Sequence, residues 1–169
     1  MIVIETERLY LRELERNDHD FLLRLMNSPG WLKFIGDRGV KTPEDAINYI
    51  EERFLKSYQT FGYGLYLMEA KADKTALGIC GLVKREHLEY PDIGFALMPE
   101  FEGNGFALEA AQATMKYAKK ELKLEKIAAI TDQENERSIH LLKKLEMEFD
   151  KMIPSPGEDS KIMLFINSS

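Results

Sequence analysis

The sequence predicts an α/β sandwich in which a mixed, mostly antiparallel sheet is flanked by helices. Three observations support this prediction. The chain has 169 residues, the length of one compact domain. Its apolar residues follow a helical spacing in the first third, a strand-like spacing in the centre, and both in turn towards the C-terminus. Short turns, not long linkers, separate these segments. The predicted element order is βααβββαβαββ, and residues 1–169 are expected to form a single domain.

The first third is predicted to contain one strand and two helices. Leucines alternate with polar residues in segment 9–14 and indicate the strand. A helix with one apolar face follows a capping residue, either Asn17 or Asp18. The second helix begins at Thr42, because Thr can cap a helix, the next residue is Pro, and an acid three residues later can bond back to the cap. This helix is expected to end near residue 61.

The remaining two thirds are predicted to begin with an antiparallel meander. Segments 63–70, 76–85 and 92–98 have strand periodicity and short connections. A glycine-containing loop then leads into a helix at 106–121, whose inner face consists of small residues and can lie close to a sheet. The last predicted elements are a strand at 126–131, a helix at 135–145, and strands at 148–153 and 161–166.

Composition excludes several classes of protein. There are 23 Lys and Arg against 29 Asp and Glu, so the net charge is −6 and no broad positive field exists to bind nucleic acid or an anionic membrane. A single cysteine, Cys80, excludes an internal disulfide and a multi-cysteine metal centre. No apolar run is long enough to cross a bilayer, and no signal peptide is evident. We therefore expect a cytoplasmic protein with no metal and with no nucleic-acid or membrane partner.

The glycine-containing loop is the segment most informative about function. Gly103 and Gly105 lie between a strand and the helix beginning at Phe106, so backbone N–H groups and the positive helix end can converge on an anion. The loop lacks the Lys and Ser/Thr of a P-loop, and its antiparallel strands differ from a dinucleotide-binding unit. It is either a phosphate cradle or simply a tight turn.

A second polar segment opens the next helix. Asn135 and Ser138 follow the strand at 126–131, where a helix start beside a strand end can hold both side chains in a cleft. In the alternative, Asn135 only caps the helix and Ser138 faces solvent.

Together and in this element order, the two segments resemble the GNAT superfamily of acyl-CoA-dependent N-acyltransferases over nearly the whole chain. The pyrophosphate motif of that family is similar to Glu-Gly-Asn-Gly-Phe-Ala at 102–107. Within the family, Thr-Glu-Arg-Leu-Tyr-Leu-Arg at 6–12, Asp-Ile-Gly-Phe at 92–95 and the Asn135-x-x-Ser138 step resemble the branch of ribosomal-protein N-terminal acetyltransferases, the RimJ/RimL type.

The resemblance implies direct transfer of an acetyl group from acetyl-CoA to a primary amine, on a protein or peptide N-terminus or a small molecule. Two other functions stay open, an acyl-CoA-binding regulator without turnover and a structural or interaction domain. The sequence leaves the oligomeric state undetermined. The cofactor-binding residues implied by the resemblance are Phe95, Ala96 and Leu97 for the acyl-pantetheine arm, Gly103, Asn104, Gly105, Phe106 and Ala107 for the pyrophosphate, and Asn135 for the pantetheine amides.

The resemblance also suggests catalytic roles. Asp92 opens the strand expected to hold the acyl group and is the first candidate for a general base, with Glu86 and Glu69 as runners-up. An equal alternative is that Asp92 merely solvates a strand end. Leu142 occupies the position where many family members carry a Tyr acid, which leaves Ser138 as the candidate donor to the departing sulfur.

Several positions depart from the family pattern. Glu100 and Glu102 put acids near a site meant for phosphates and are expected to weaken anion binding unless they point to solvent. Asn104 replaces a common basic residue, so the cradle is expected to rely on backbone donors. Glu146 replaces a frequent glycine, which bears on local backbone strain. An acidic loop at 154–159 either borders the acceptor site, where it would favour a cationic amine, or is simply solvated.

Overall fold

The computed structural model describes residues 1–155 and 159–167 as one eight-stranded sheet between two layers of helices. The strand order is β1-β2-β3-β4-β5-β6-β8-β7, with β5 and β6 parallel and the other described neighbours antiparallel. The predicted fold class is confirmed. The strands are Ile2–Glu5 (β1), Leu9–Arg12 (β2), Leu65–Ala70 (β3), Ala76–Val83 (β4), Asp92–Leu97 (β5), Ala128–Thr131 (β6), Met147–Pro154 (β7) and Lys161–Asn167 (β8).

The helices form two layers because side chains on alternate strand positions point to opposite faces of the sheet. Leu67 and Ile79 pack with the N-terminal helices, whereas Met68 and Cys80 pack with the C-terminal ones. The N-terminal layer contains His19–Met26 (α1), Pro29–Phe34 (α2), Pro43–Tyr49 (α3) and Lys56–Phe61 (α4), with a π-helical segment Ile50–Leu55 joining α3 to α4. The other layer contains Phe106–Lys120 (α5) and Glu136–Lys144 (α6).

The N-terminal strand β1 is absent from the sequence prediction. Its four residues pair with β2, where Glu5 lies beside Tyr10, and form one edge of the sheet. Its residues, Ile-Val-Ile-Glu, do not alternate between apolar and polar as those of β2 do, so its structure depends on pairing with the neighbouring strand. Part of the predicted acidic loop, including Glu158, lies outside the described residues, as do residues 168–169.

The small inner face of α5 positions this helix against the sheet. Ala110, Ala111 and Thr114 are buried, and the Thr114 Oγ1 atom lies 3.5 Å from the Cys80 Sγ atom on β4. The short segment 98–105 joins the end of β5 to the N-terminus of α5. Across residues 1–155 and 159–167, no helix is long and apolar enough to span a bilayer.

Candidate functional site

The strands β5 and β6 separate along their length. In the described strands they pair at one position, where Asp92 lies beside Ala128 and the Ala128 N–H donates to the Pro91 carbonyl at 2.8 Å. Beyond it, β5 stays paired with β4 and β6 with β8. Residues 94–97 are partly exposed although β5 lies inside the sheet. A gap therefore opens between the two strands towards their C-terminal ends.

The backbone of β5 presents hydrogen-bonding groups to this gap. The Met98 N–H donates to the Leu77 carbonyl on β4 at 2.9 Å. Because bonding direction alternates along an antiparallel strand, Ala96 also bonds to β4, whereas Phe95 and Leu97 direct their N–H and C=O groups towards β6. Of the three strand residues predicted to contact the pantetheine arm, two face the gap through their backbone. Ala96 packs its side chain against the N-terminal helices.

The loop after β5 has the local geometry of an anion site. Gly103 and Gly105 have φ angles of +83° and +79°, a region that disfavours side chains. The Gly105 carbonyl accepts from the Glu109 N–H at 3.0 Å, so the N–H groups of residues 106–108 have no acceptor within the helix. A Cβ atom at Gly103 would meet nothing within 4 Å. The exposed loop can therefore bring backbone donors close to an anion.

Arg8 contacts this loop from the turn between β1 and β2. Its Nη1 atom donates to the Asn104 carbonyl at 3.0 Å, and its guanidinium lies 4.3 Å from the centre of the Phe106 ring. Its Nε atom lies 2.7 Å from the Glu109 carboxylate, which also accepts from the Thr6 hydroxyl at 2.6 Å. Burial opposes ionisation of Glu109, but these hydrogen bonds lower its pKa overall. The loop therefore has a cation beside it, which is paired with Glu109.

The two acids of the loop have different surroundings. Glu100 is exposed, whereas Glu102 forms an ion pair with Arg137 in the first turn of α6. A cation distant in sequence therefore neutralises Glu102, whereas the effect of this acid on anion binding stays a prediction.

The first turn of α6 holds the second predicted segment. Asn135 is the N-cap residue, and its Oδ1 atom accepts from the Ser138 N–H at 3.2 Å, which leaves the Asn135 side-chain NH2 group for another acceptor. Ser138 is 9% exposed, so the interpretation that it faces solvent is wrong. Leu142 is buried in the core on the same side of the helix.

Asp92 lies where β5 and β6 still pair, at the closed end of the gap. It is 1% exposed, and Arg85 Nε donates to its carboxylate at 2.8 Å. Burial raises the pKa of Asp92, although the cation of Arg85 opposes this effect. Of the runners-up, Glu69 lies on β3 in an ion pair with Arg12, two strands from β5, and Glu86 is exposed in the loop before it.

Comparison with known proteins identifies the family of this chain. Residues 8–148 match the acetyltransferase (GNAT) domain family. The chain belongs to this family. It is 30% identical over 159 residues to the uncharacterized N-acetyltransferase YnaD of Bacillus subtilis, covering 92% of this chain and 90% of that one. It is 28% identical over 136 residues to the spermidine N(1)-acetyltransferase of Escherichia coli K12, covering 80% and 70%.

The fold of this GNAT acetyltransferase also matches solved structures. RimL, a ribosomal L7/L12 alpha-N-protein acetyltransferase solved in complex with coenzyme A, superposes with a TM-score of 0.82 at 16% identity, covering 99% of this chain and 97% of that one. Members of the GNAT family use acetyl-CoA as the acyl donor. The open strand gap and the glycine loop of this chain therefore belong to a fold that performs N-acetyl transfer.

Proposed function

We propose that this protein transfers an acetyl group from acetyl-CoA directly to a primary amine, with the cosubstrate lying in the gap between β5 and β6. The observation that carries this proposal is the continuity of that gap with the loop at Gly103 and Gly105. Acetyl-CoA is an extended molecule with phosphates towards one end and an acyl thioester at the other. Backbone groups of Phe95 and Leu97 suit the amides of its arm, and the start of α5 suits its pyrophosphate.

The reaction forms a bond between the amine nitrogen and the acetyl carbon while the bond from that carbon to sulfur breaks. A backbone N–H of β5 facing the gap would polarise the thioester carbonyl. Ser138 would donate a hydrogen bond to the departing sulfur, and the Asn135 side-chain NH2 group would bind a pantetheine carbonyl. The sulfur takes up one proton, and the amine gives one up.

Asp92 is the proposed acceptor of the amine proton. Its burial means that the proton would reach it through a water molecule, not by direct contact with the substrate. A carboxylate whose pKa is raised is a stronger base than an exposed one, which favours this role. The ion pair with Arg85 stabilises the ionised form of the buried Asp92 carboxyl group.

The proposed acceptor class covers polyamines and protein N-termini. Two of the similar proteins are named for their acceptors, which are spermidine and a ribosomal protein, respectively. An α-amine with a pKa near 8 is about 10% neutral at pH 7, whereas an alkylamine with a pKa near 10.4 is neutral in less than about 0.1% of molecules. A polyamine acceptor would therefore depend more strongly on a general base than a protein N-terminus.

The test is a binding measurement followed by turnover. Ligand at about a hundred times its dissociation constant adds roughly 2.7 kcal/mol of stability, which for a chain of this size raises the Tm by about 5–10 °C. We expect CoA and acetyl-CoA to give such a shift and NAD and ATP to give none. Thiol release from acetyl-CoA is then followed with spermidine and with N-terminal peptides. Absence of both a thermal shift and calorimetric heat with CoA would refute the proposal.

A further inference from the structure

We propose that Arg137 is a phosphate ligand for the cosubstrate, and that it exchanges its ion pair with Glu102 for one of the phosphate groups of CoA. This assignment rests on the function proposed above and adds a subsite to it. It begins from the ion pair between Arg137 and Glu102, two residues that are 35 positions apart in the sequence.

The ion pair between Glu102 and Arg137 lies at the open end of the gap between β5 and β6. Glu102 lies in the loop that follows β5, and Arg137 lies in the first turn of the helix that follows β6. Because β5 and β6 diverge towards these two ends, the pair crosses the open end of the gap. A CoA molecule that extends from the gap to the Gly103 loop therefore places its phosphates beside this ion pair.

The chemistry of the pair is the second argument. The Arg137 side chain is 74% exposed and that of Glu102 is 36% exposed. An ion pair this exposed contributes little to stability, so little opposes its exchange. The 3′-phosphate of CoA, and the pyrophosphate taken as a whole, each carry more negative charge than one carboxylate, and a phosphate group accepts two parallel hydrogen bonds from a guanidinium. Glu102 adjoins Gly103, so Arg137 already lies at the edge of the loop where the phosphates are expected.

The two members of the pair should have opposite effects on affinity. If Arg137 binds phosphate, Glu102 is a competitor for its guanidinium and repels the phosphates. Arg137→Gln should therefore weaken CoA binding about tenfold or more, the effect of losing a hydrogen-bonded charge pair. Glu102→Gln should strengthen CoA binding, by about two- to tenfold. Both effects should diminish as salt is raised, because both residues are exposed.

The experiment measures calorimetric affinities of the full chain for CoA, dephospho-CoA and pantetheine. Pantetheine lacks phosphates, so its affinity should be the same for wild type and Arg137→Gln. If the loss with Arg137→Gln disappears for dephospho-CoA, the ligand is the 3′-phosphate, and if it persists, the ligand is the pyrophosphate. Arg16→Gln is the matched control, since Arg16, in the turn before α1, forms an ion pair of similar exposure, 67% and 40%, with Glu51 of the π-helical segment. It should leave CoA affinity unchanged.

Two results would overturn the assignment of Arg137 but leave the proposed function intact. Wild-type CoA affinity in Arg137→Gln would show that its guanidinium does not meet phosphate. Equal weakening by Glu102→Gln and Arg137→Gln would show that the pair only fixes the loop. A wild-type protein that binds no CoA would instead overturn the proposed function, and this assignment with it.

Discussion

Replacing Gly105 with Val should separate the binding role of the loop from its role in the fold. Gly105 has φ +79° and ψ 7°, and a Cβ atom there would meet only the Arg8 guanidinium, at 3.5 Å. The left-handed conformation costs an L-residue about 1–2 kcal/mol, which lowers the Tm of a chain of this size by about 2–8 °C. In the proposed function, the added side chain also stands where the phosphates of CoA approach. Loss of two charge-assisted hydrogen bonds, at about 1.5–3 kcal/mol each, weakens binding by about a hundredfold or more.

The chain provides a matched control for the backbone strain. Gly62, which ends α4, has the same φ and ψ as Gly105, +79° and 7°, and a Cβ atom there would meet nothing within 4 Å. Gly62→Val should therefore lose similar stability, measured by thermal unfolding, but retain CoA affinity, measured by calorimetry. CoA affinity that is unchanged in folded Gly105→Val, or reduced equally in both variants, would refute the reasoning that backbone at Gly105 approaches the phosphates.

Three further outcomes are expected. Glu146→Gly should raise the free energy of unfolding by about 0.5–1 kcal/mol in urea titrations, because Glu146 has a φ of +64° at the end of α6 and relief of that strain exceeds the extra chain entropy of glycine. Ser138→Ala should lower kcat about tenfold to a thousandfold with little change in CoA affinity, whereas Asn135→Ala should mainly weaken CoA binding, as steady-state kinetics and calorimetry would show. The pKa of Glu109 is lowered in the folded chain, so the stability from its contacts is present above the ordinary pKa of 4.5 and lost as pH falls through the folded value. Urea midpoints should therefore fall less steeply below about pH 4.5 in Glu109→Gln than in wild type, and parallel curves would contradict this role.

Patterns local in the sequence predicted most of the fold. Apolar periodicity placed the last strand at 161–166, against the observed Lys161–Asn167, because burial of one face constrains each residue of a strand. The capping pattern at Thr42 was confirmed, since its side chain accepts from the Asp45 N–H at 3.1 Å. The strand β1 could not be found this way, because it exists through its pairing with β2.

In the candidate site, too, the features set by local sequence could be predicted, and those set by tertiary contacts could not. The left-handed glycines of the loop could be expected from a two-glycine segment before a helix, since glycine tolerates that conformation. The two arginines at the loop could not. Arg8 reaches the Asn104 carbonyl across 96 residues, and Arg137 reaches Glu102 across 35. In the sequence each is one more charged residue, and only tertiary structure brings them to the same loop.

The single pairing between β5 and β6 has a consequence for amide hydrogen exchange. In a sheet of eight strands, the amides of an interior strand normally exchange slowly, because both edges are hydrogen-bonded. The Phe95 and Leu97 amides face the gap and should exchange with deuterium much faster than the neighbouring Ala96 amide, which bonds to β4. A cosubstrate lying along β5 would supply the missing partners, so added CoA should slow exchange at Phe95 and Leu97 and leave Ala96 almost unchanged.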